Sequence, residues 1–128
     1  WCQKYSKNPD IKVVTHGYDF AVPSPTGAVF LNGLIKINQG RSWMHPYLVA
    51  RGITRRADQK AIVRHLMGRL GDNHSALANQ AKYAKNFVFA DTRNTVAENE
   101  WLNEIHPTPA GFKKVTDKIY AACRPHLR

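Results

Sequence analysis

Two short apolar runs and two stretches of helical apolar spacing organise this chain. Ile11 to Thr15 ends at His16-Gly17, and Phe87 to Ala90 ends at Asp91. Runs of this length that stop at polar or turn residues predict buried parallel strands followed by loops. Between them, Ile62, Val63, Leu66, Met67, Leu70 and Leu77 recur at three- and four-residue spacing. Residues 57–84 are therefore predicted to form one long amphipathic helix or two shorter ones, with Gly68 and Gly71 as points of interruption. After the second strand, Thr108 suits an N-cap and Pro109 the first helical position, where its missing N–H costs nothing. Phe112, Val115, Ile119 and Ala122 then mark the apolar face of a last helix. The order strand, crossover helix, strand, helix predicts an α/β layer sandwich with a parallel sheet.

Residues 21–53 differ in character. Pro23, Pro25, Gly27, Gly33, Gly40, Pro46 and Gly52 punctuate the segment, which predicts an irregular excursion with short helical turns. It leaves from the carboxyl end of the first strand, the end at which open α/β sheets bind ligands. Its aromatics Phe30, Trp43 and Tyr47 either line a pocket or anchor the loop by packing.

Composition narrows the picture in three ways. At 128 residues with 43% hydrophobic side chains, the chain can bury a core, but no apolar run reaches the roughly 20 residues that cross a bilayer. The net charge of +10 concentrates at Arg51, Arg55, Arg56, Lys60, Arg64 and Arg69. That cluster reads as the solvated face of a helix, with attraction to an anionic polymer or surface as the alternative. No nucleic-acid-binding signature accompanies it, so no nucleic-acid partner is expected. Cys2 and Cys123 lie at opposite ends of the chain. A disulfide between them would indicate a periplasmic or secreted protein, whereas two buried thiols are ordinary elsewhere. No His, Cys, Asp or Glu spacing suggests a metal site, and no cofactor is expected.

The residues richest in chemistry are Trp101-Leu102-Asn103-Glu104-Ile105-His106-Pro107-Thr108 with Gly111-Phe112. They place a histidine on a short loop just before a helix. The positive end of the helix dipole favours the neutral ring, the form that accepts a proton from a nucleophile. The run from Asn103 to Thr108, with Gly111-Phe112, resembles the last sequence block of the SGNH (GDSL-type) hydrolases, in which an Asp lies three residues before the catalytic His. Pro9-Asp10-Ile11-Lys12-Val13-Val14-Thr15-His16-Gly17-Tyr18-Asp19-Phe20 is similar to a central strand of that fold and its outgoing loop. Gly40-Arg41-Ser42-Trp43-Met44, Ala50-Arg51-Gly52-Ile53 and Phe87-Val88-Phe89-Ala90-Asp91-Thr92-Arg93 resemble one branch of the family in order and spacing.

The resemblance covers nearly all of this chain but only the second half of the family's domain. It implies a three-layer α/β/α sandwich, the flavodoxin-like SGNH hydrolase fold, present over residues 1–128 as a partial domain. It implies ester hydrolysis by a Ser-His-Asp-like triad, with His106 as general base and Asn103 where the family has Asp. An amide orients the ring but lends no charge to the imidazolium; Glu104 pointing inward, Asp91 from another loop, or a Ser-His dyad are the alternatives. His16, Gly17, Tyr18 and Trp43 are expected close to substrate, with His16 itself more a packing or loop-shaping residue than a catalytic one. The Gly-Asp-Ser block is missing from these residues, and Gly71-Asp72-Asn73 falls within a helical pattern and does not supply a Gly-x-Asn-Asp block. With the opening on Trp1, this leads to the expectation of a fragment, inactive alone, whose partner is the N-terminal half carrying the nucleophilic serine. The substrate expected is a small-molecule, polysaccharide or lipid ester. A non-catalytic basic binding module and an acyltransferase on the same frame stand as alternatives.

Overall fold

The structure, a computed structural model, describes residues 7–26, 29–30, 35–36 and 42–127. It is mixed helix and strand. The strands β1 (Val13–His16) and β4 (Phe87–Ala90) pair in parallel, Val13 opposite Phe87 and His16 opposite Ala90. Two-residue strands β2 (Val29–Phe30) and β3 (Ile35–Lys36) form a small antiparallel pair inside the irregular excursion. The helices are α1 (His45–Ala50), α2 (Arg56–Ala78), α3 (Ala81–Ala84) and α4 (Pro109–Cys123). Both α2 and α4 pack on β4.

Each end of the parallel pair is locked by a buried side chain. At the start, the Asn86 side-chain amide donates to the carbonyls of Pro9 at 2.9 Å and Ile11 at 2.8 Å, while the Asn86 backbone carbonyl accepts from Val13 N–H at 2.7 Å. At the end, the Thr92 hydroxyl donates to the Gly17 carbonyl at 2.8 Å. The three side-chain bonds lie outside the strand ladder, and each holds a backbone carbonyl just where the ladder stops.

Helix α2 runs unbroken through Gly68 and Gly71 and ends at Ala78, so the predicted interruption falls later, at Asn79-Gln80. Gly71 leaves room for an arginine to cross α2. A Cβ there would lie 2.7 Å from the guanidinium of Arg93, which crosses the helix at this point. Arg93 donates to Asp91, to Asp72 at 2.7 Å and to the Gly68 carbonyl at 3.1 Å, tying the loop after β4 to the middle of α2.

Two apolar expectations need correction. Of the predicted α2 stripe, Val63 is buried, whereas Leu66, Leu70 and Leu77 are exposed. A 23-residue helix is roughly 35 Å long and a four-residue strand roughly 13 Å, so the described pair of strands is too small to cover it. The first strand, expected to be buried, keeps Val13 42% and Val14 37% exposed. These residues face opposite sides of the sheet, and among the described residues β1 has a partner only in β4.

The Arg93 contacts set a pH dependence. The guanidinium beside Asp91 holds that carboxyl below the usual carboxylate range. A carboxyl lowered on folding adds stability above its unfolded value near about 3.9, and that stability fades as the pH falls through the folded value. Because Asp91 is half-exposed, the pair is expected to contribute only about half a kcal/mol. Urea unfolding of Asp91→Asn should fall short of wild type by this amount at pH 7, and the gap should close as the pH drops below about 4.

Candidate active site

Residues 101–107 form a closed loop at the carboxyl end of the strand pair. Trp101 and Pro107 make an antiparallel bridge, and the His106 carbonyl accepts from Leu102 N–H at 2.8 Å. Helix α4 begins immediately afterwards. The Thr108 hydroxyl accepts from Gly111 N–H at 3.2 Å and Pro109 occupies the first turn, as its sequence predicts. Gly111 lets this turn approach the loop, since a Cβ would stand 2.8 Å from the Pro107 side chain.

Within the loop, the Asn103 carbonyl oxygen accepts from Ile105 N–H at 3.1 Å and His106 N–H at 3.0 Å, and lies 3.0 Å from His106 Nδ1. Two backbone donors converge on this atom, which fixes it as the amide oxygen. An oxygen facing Nδ1 requires that nitrogen to carry the proton, so the neutral ring has its lone pair on Nε2. The buried Asn103 thus sets both the loop and the tautomer.

Trp43 stands edge-on to the imidazole, with ring centroids 5.7 Å apart and planes at 67°. Tyr18 reaches the same loop, its hydroxyl donating to the Ile105 carbonyl and its ring 6.2 Å from that of Trp101; burial pushes its phenol up. Gly17 is buried under Thr92, and the exposed His16 has Nδ1 2.8 Å from the Gly17 carbonyl. Gly17, Tyr18 and Trp43 are therefore assembled around the histidine loop or the strand end beside it. Tyr47 is 72% exposed on α1, so of the two readings, pocket lining or packing anchor, it fits neither. For Phe30 the structure describes only the backbone, and Cys2 lies outside the described residues, so the disulfide expectation does too.

The two carboxylates weighed as partners of His106 have other engagements. Glu104 is fully buried and accepts backbone N–H groups from Ser24 at 3.0 Å, Met44 at 2.6 Å and His45 at 2.7 Å. Asp91 is gripped by Arg93 through three side-chain contacts. It is Asn103 that meets the ring at Nδ1.

Sequence reasoning passed over Asp19. Its buried carboxylate accepts from the backbone N–H groups of Phe20, Asn94, Thr95 and Val96 at 2.6–2.8 Å, joining the loop after β1 to the loop after β4. Asn94 takes a positive φ of 57° in that turn, a conformation asparagine tolerates. The signal was an acid standing alone in the apolar run Tyr18-Asp19-Phe20-Ala21-Val22, where burial demands partners.

Half of the basic cluster is engaged in ion pairs. Arg55 pairs with Asp58, Arg56 and Lys60 share Glu98, and Arg64 donates to Asn94 while lying 4.1 Å above the Phe20 ring. Among the described residues no group of three or more His, Cys, Asp or Glu side chains is placed to hold a metal ion, and no helix is long and apolar enough to cross a membrane.

Removing Asp19 tests how far the loops depend on it. Asp19→Ala leaves four backbone donors without their acceptor and is expected to lower stability by about 3 kcal/mol or more in urea unfolding. A loss under about 1 kcal/mol would mean that water replaces the carboxylate. Compared with protein-family models, with curated proteins and with solved structures, the chain matches none.

Proposed function

We propose that this chain is part of an SGNH-like serine hydrolase acting on carboxylic esters, with His106 as the general base. The observation that carries the reading is the pairing of His106 Nδ1 with the Asn103 amide oxygen at 3.0 Å, at the mouth of α4. That contact directs the basic lone pair to Nε2, the nitrogen that takes a hydroxyl proton in Ser-His-Asp chemistry. The serine and the oxyanion donors come from residues outside these 128. On this reading the parallel pair flanked by α2 and α4 belongs to a three-layer α/β/α sandwich. The exposed valines of β1 are then faces that further elements of the sandwich cover.

In the proposed reaction Nε2 accepts the serine proton as the hydroxyl oxygen attacks the ester carbonyl. It returns that proton to the departing alcohol as the acyl-serine forms. Water, deprotonated by the same nitrogen, then releases the acid. Asn103 holds the ring in place throughout but adds no negative charge beside the imidazolium. An acceptor alcohol in place of that water would make the enzyme an acyltransferase.

The test is turnover of p-nitrophenyl acetate by the intact polypeptide. His106→Ala should lose at least about 100-fold, while Asn103→Asp should gain about tenfold by placing a charge where the amide stands. Equal rates for wild type and His106→Ala remove the histidine from its assigned role.

A further inference from the structure

We infer that Glu104 is a positioning residue for His106, acting through Trp43, an inference that rests on the ester-hydrolase reading for its meaning but not for its geometry. Adjacent residues of one loop point to different tasks. Asn103 holds the imidazole by Nδ1, while Glu104 reaches a segment 59–80 residues away in sequence.

Three donors and two carboxylate oxygens make the clamp. Oε1 accepts from Ser24 N–H at 3.0 Å and His45 N–H at 2.7 Å, and Oε2 accepts from Met44 N–H at 2.6 Å. Met44 and His45 directly follow Trp43 and open α1, so the carboxylate fixes the backbone that carries the indole. Trp43 itself is 45% exposed. Packing therefore constrains it little, and its position against His106 depends on the clamp behind it. The indole meets the imidazole in a T-shaped contact with centroids 5.7 Å apart, so a shift of the Trp43 backbone changes that contact.

The clamp requires a carboxylate. A glutamine of the same shape presents an N–H₂ group to at least one of the three backbone donors, so donor meets donor inside a site with 0% exposure. Loss of one anchor on Met44 or His45 frees the Trp43 backbone, and a small shift at a reacting group is costly in rate.

The experiment reads the His106 ring resonances by NMR in the full polypeptide without substrate, for wild type, Glu104→Gln, Trp43→Ala and the double variant. The indole ring current marks the imidazole, so both single variants should move its Cε1–H signal in the same direction. The double variant should move it no further than Trp43→Ala. A residue that only adds stability would lower the unfolding midpoint of Glu104→Gln and leave the folded-state signal in place, which overturns the inference. If Glu104→Gln does not fold, Glu104→Asp keeps the charge while withdrawing the carboxylate, and an unmoved signal there overturns the inference equally. An unmoved signal in Trp43→Ala also does so, because the contact would then be absent. Turnover of p-nitrophenyl acetate is read in parallel, with kcat/KM expected to fall about tenfold in Glu104→Gln. Absence of turnover in wild type defeats the ester-hydrolase reading alone, while the ring signals still decide the coupling.

Discussion

Loops beyond the carboxyl ends of parallel strands carry backbone N–H groups that no ladder satisfies, and three buried side-chain acceptors take up this burden here. Asp19 collects four donors, Glu104 three, and Asn103 two together with the imidazole Nδ1. Among the described residues the buried aliphatic side chains are few and small: Ala21, Val22, Val63 and Ala90. Directional contacts to buried acceptors therefore define the described loops at this end of the molecule. Bonds to a charged acceptor contribute roughly 1.5–3 kcal/mol each, and an orphaned donor costs a comparable amount. The loops are thus held in discrete positions rather than merely kept compact.

That division of labour has a chemical consequence. Of the neighbours Asn103 and Glu104, the amide meets the histidine and the carboxylate clamps the backbone that follows Trp43. Asp91, the other carboxylate weighed for the role, is drawn to Arg93. A ring oriented by an amide keeps a well-defined tautomer, and on the proposed reading that amide brings no countercharge to the base. Catalysis on this design would lean on orientation and on donors aimed at the developing oxyanion more than on a countercharge beneath the ring.

The legible parts of the sequence were those set by local rules. The strands at Val13–His16 and Phe87–Ala90, the cap at Thr108 and the helix that starts at Pro109 all follow from runs, spacing and capping chemistry within a few residues. The illegible parts join segments far apart in the chain. Glu104 to Met44 and Asp19 to Thr95 are hydrogen bonds to backbone amides, which any residue but proline supplies, so the partner leaves no mark in sequence. Only the acid is visible, as a charge among apolar neighbours. The leucines of α2 mark the opposite failure. Their spacing fits a helix with one apolar face, yet a two-stranded ladder covers too little of a helix this long for the spacing to translate into burial.

The exposed strand and the reactive loop belong to one end of the molecule. Tyr18 directly follows the buried Gly17 at the end of β1, and its hydroxyl donates to the carbonyl of Ile105, next to His106. Parallel strands are stable when both faces are covered and their edges continue into a sheet, and Val13 and Val14 leave both demands unmet among the described residues. A strand added in parallel at the outer edge of β1 would end at the same level as Gly17-Tyr18, because parallel neighbours share their carboxyl ends. The loop leaving such a strand would emerge beside the histidine. On the ester-hydrolase reading proposed above, the element that would satisfy the sheet is for this reason also the one placed to bring a hydroxyl towards Nε2.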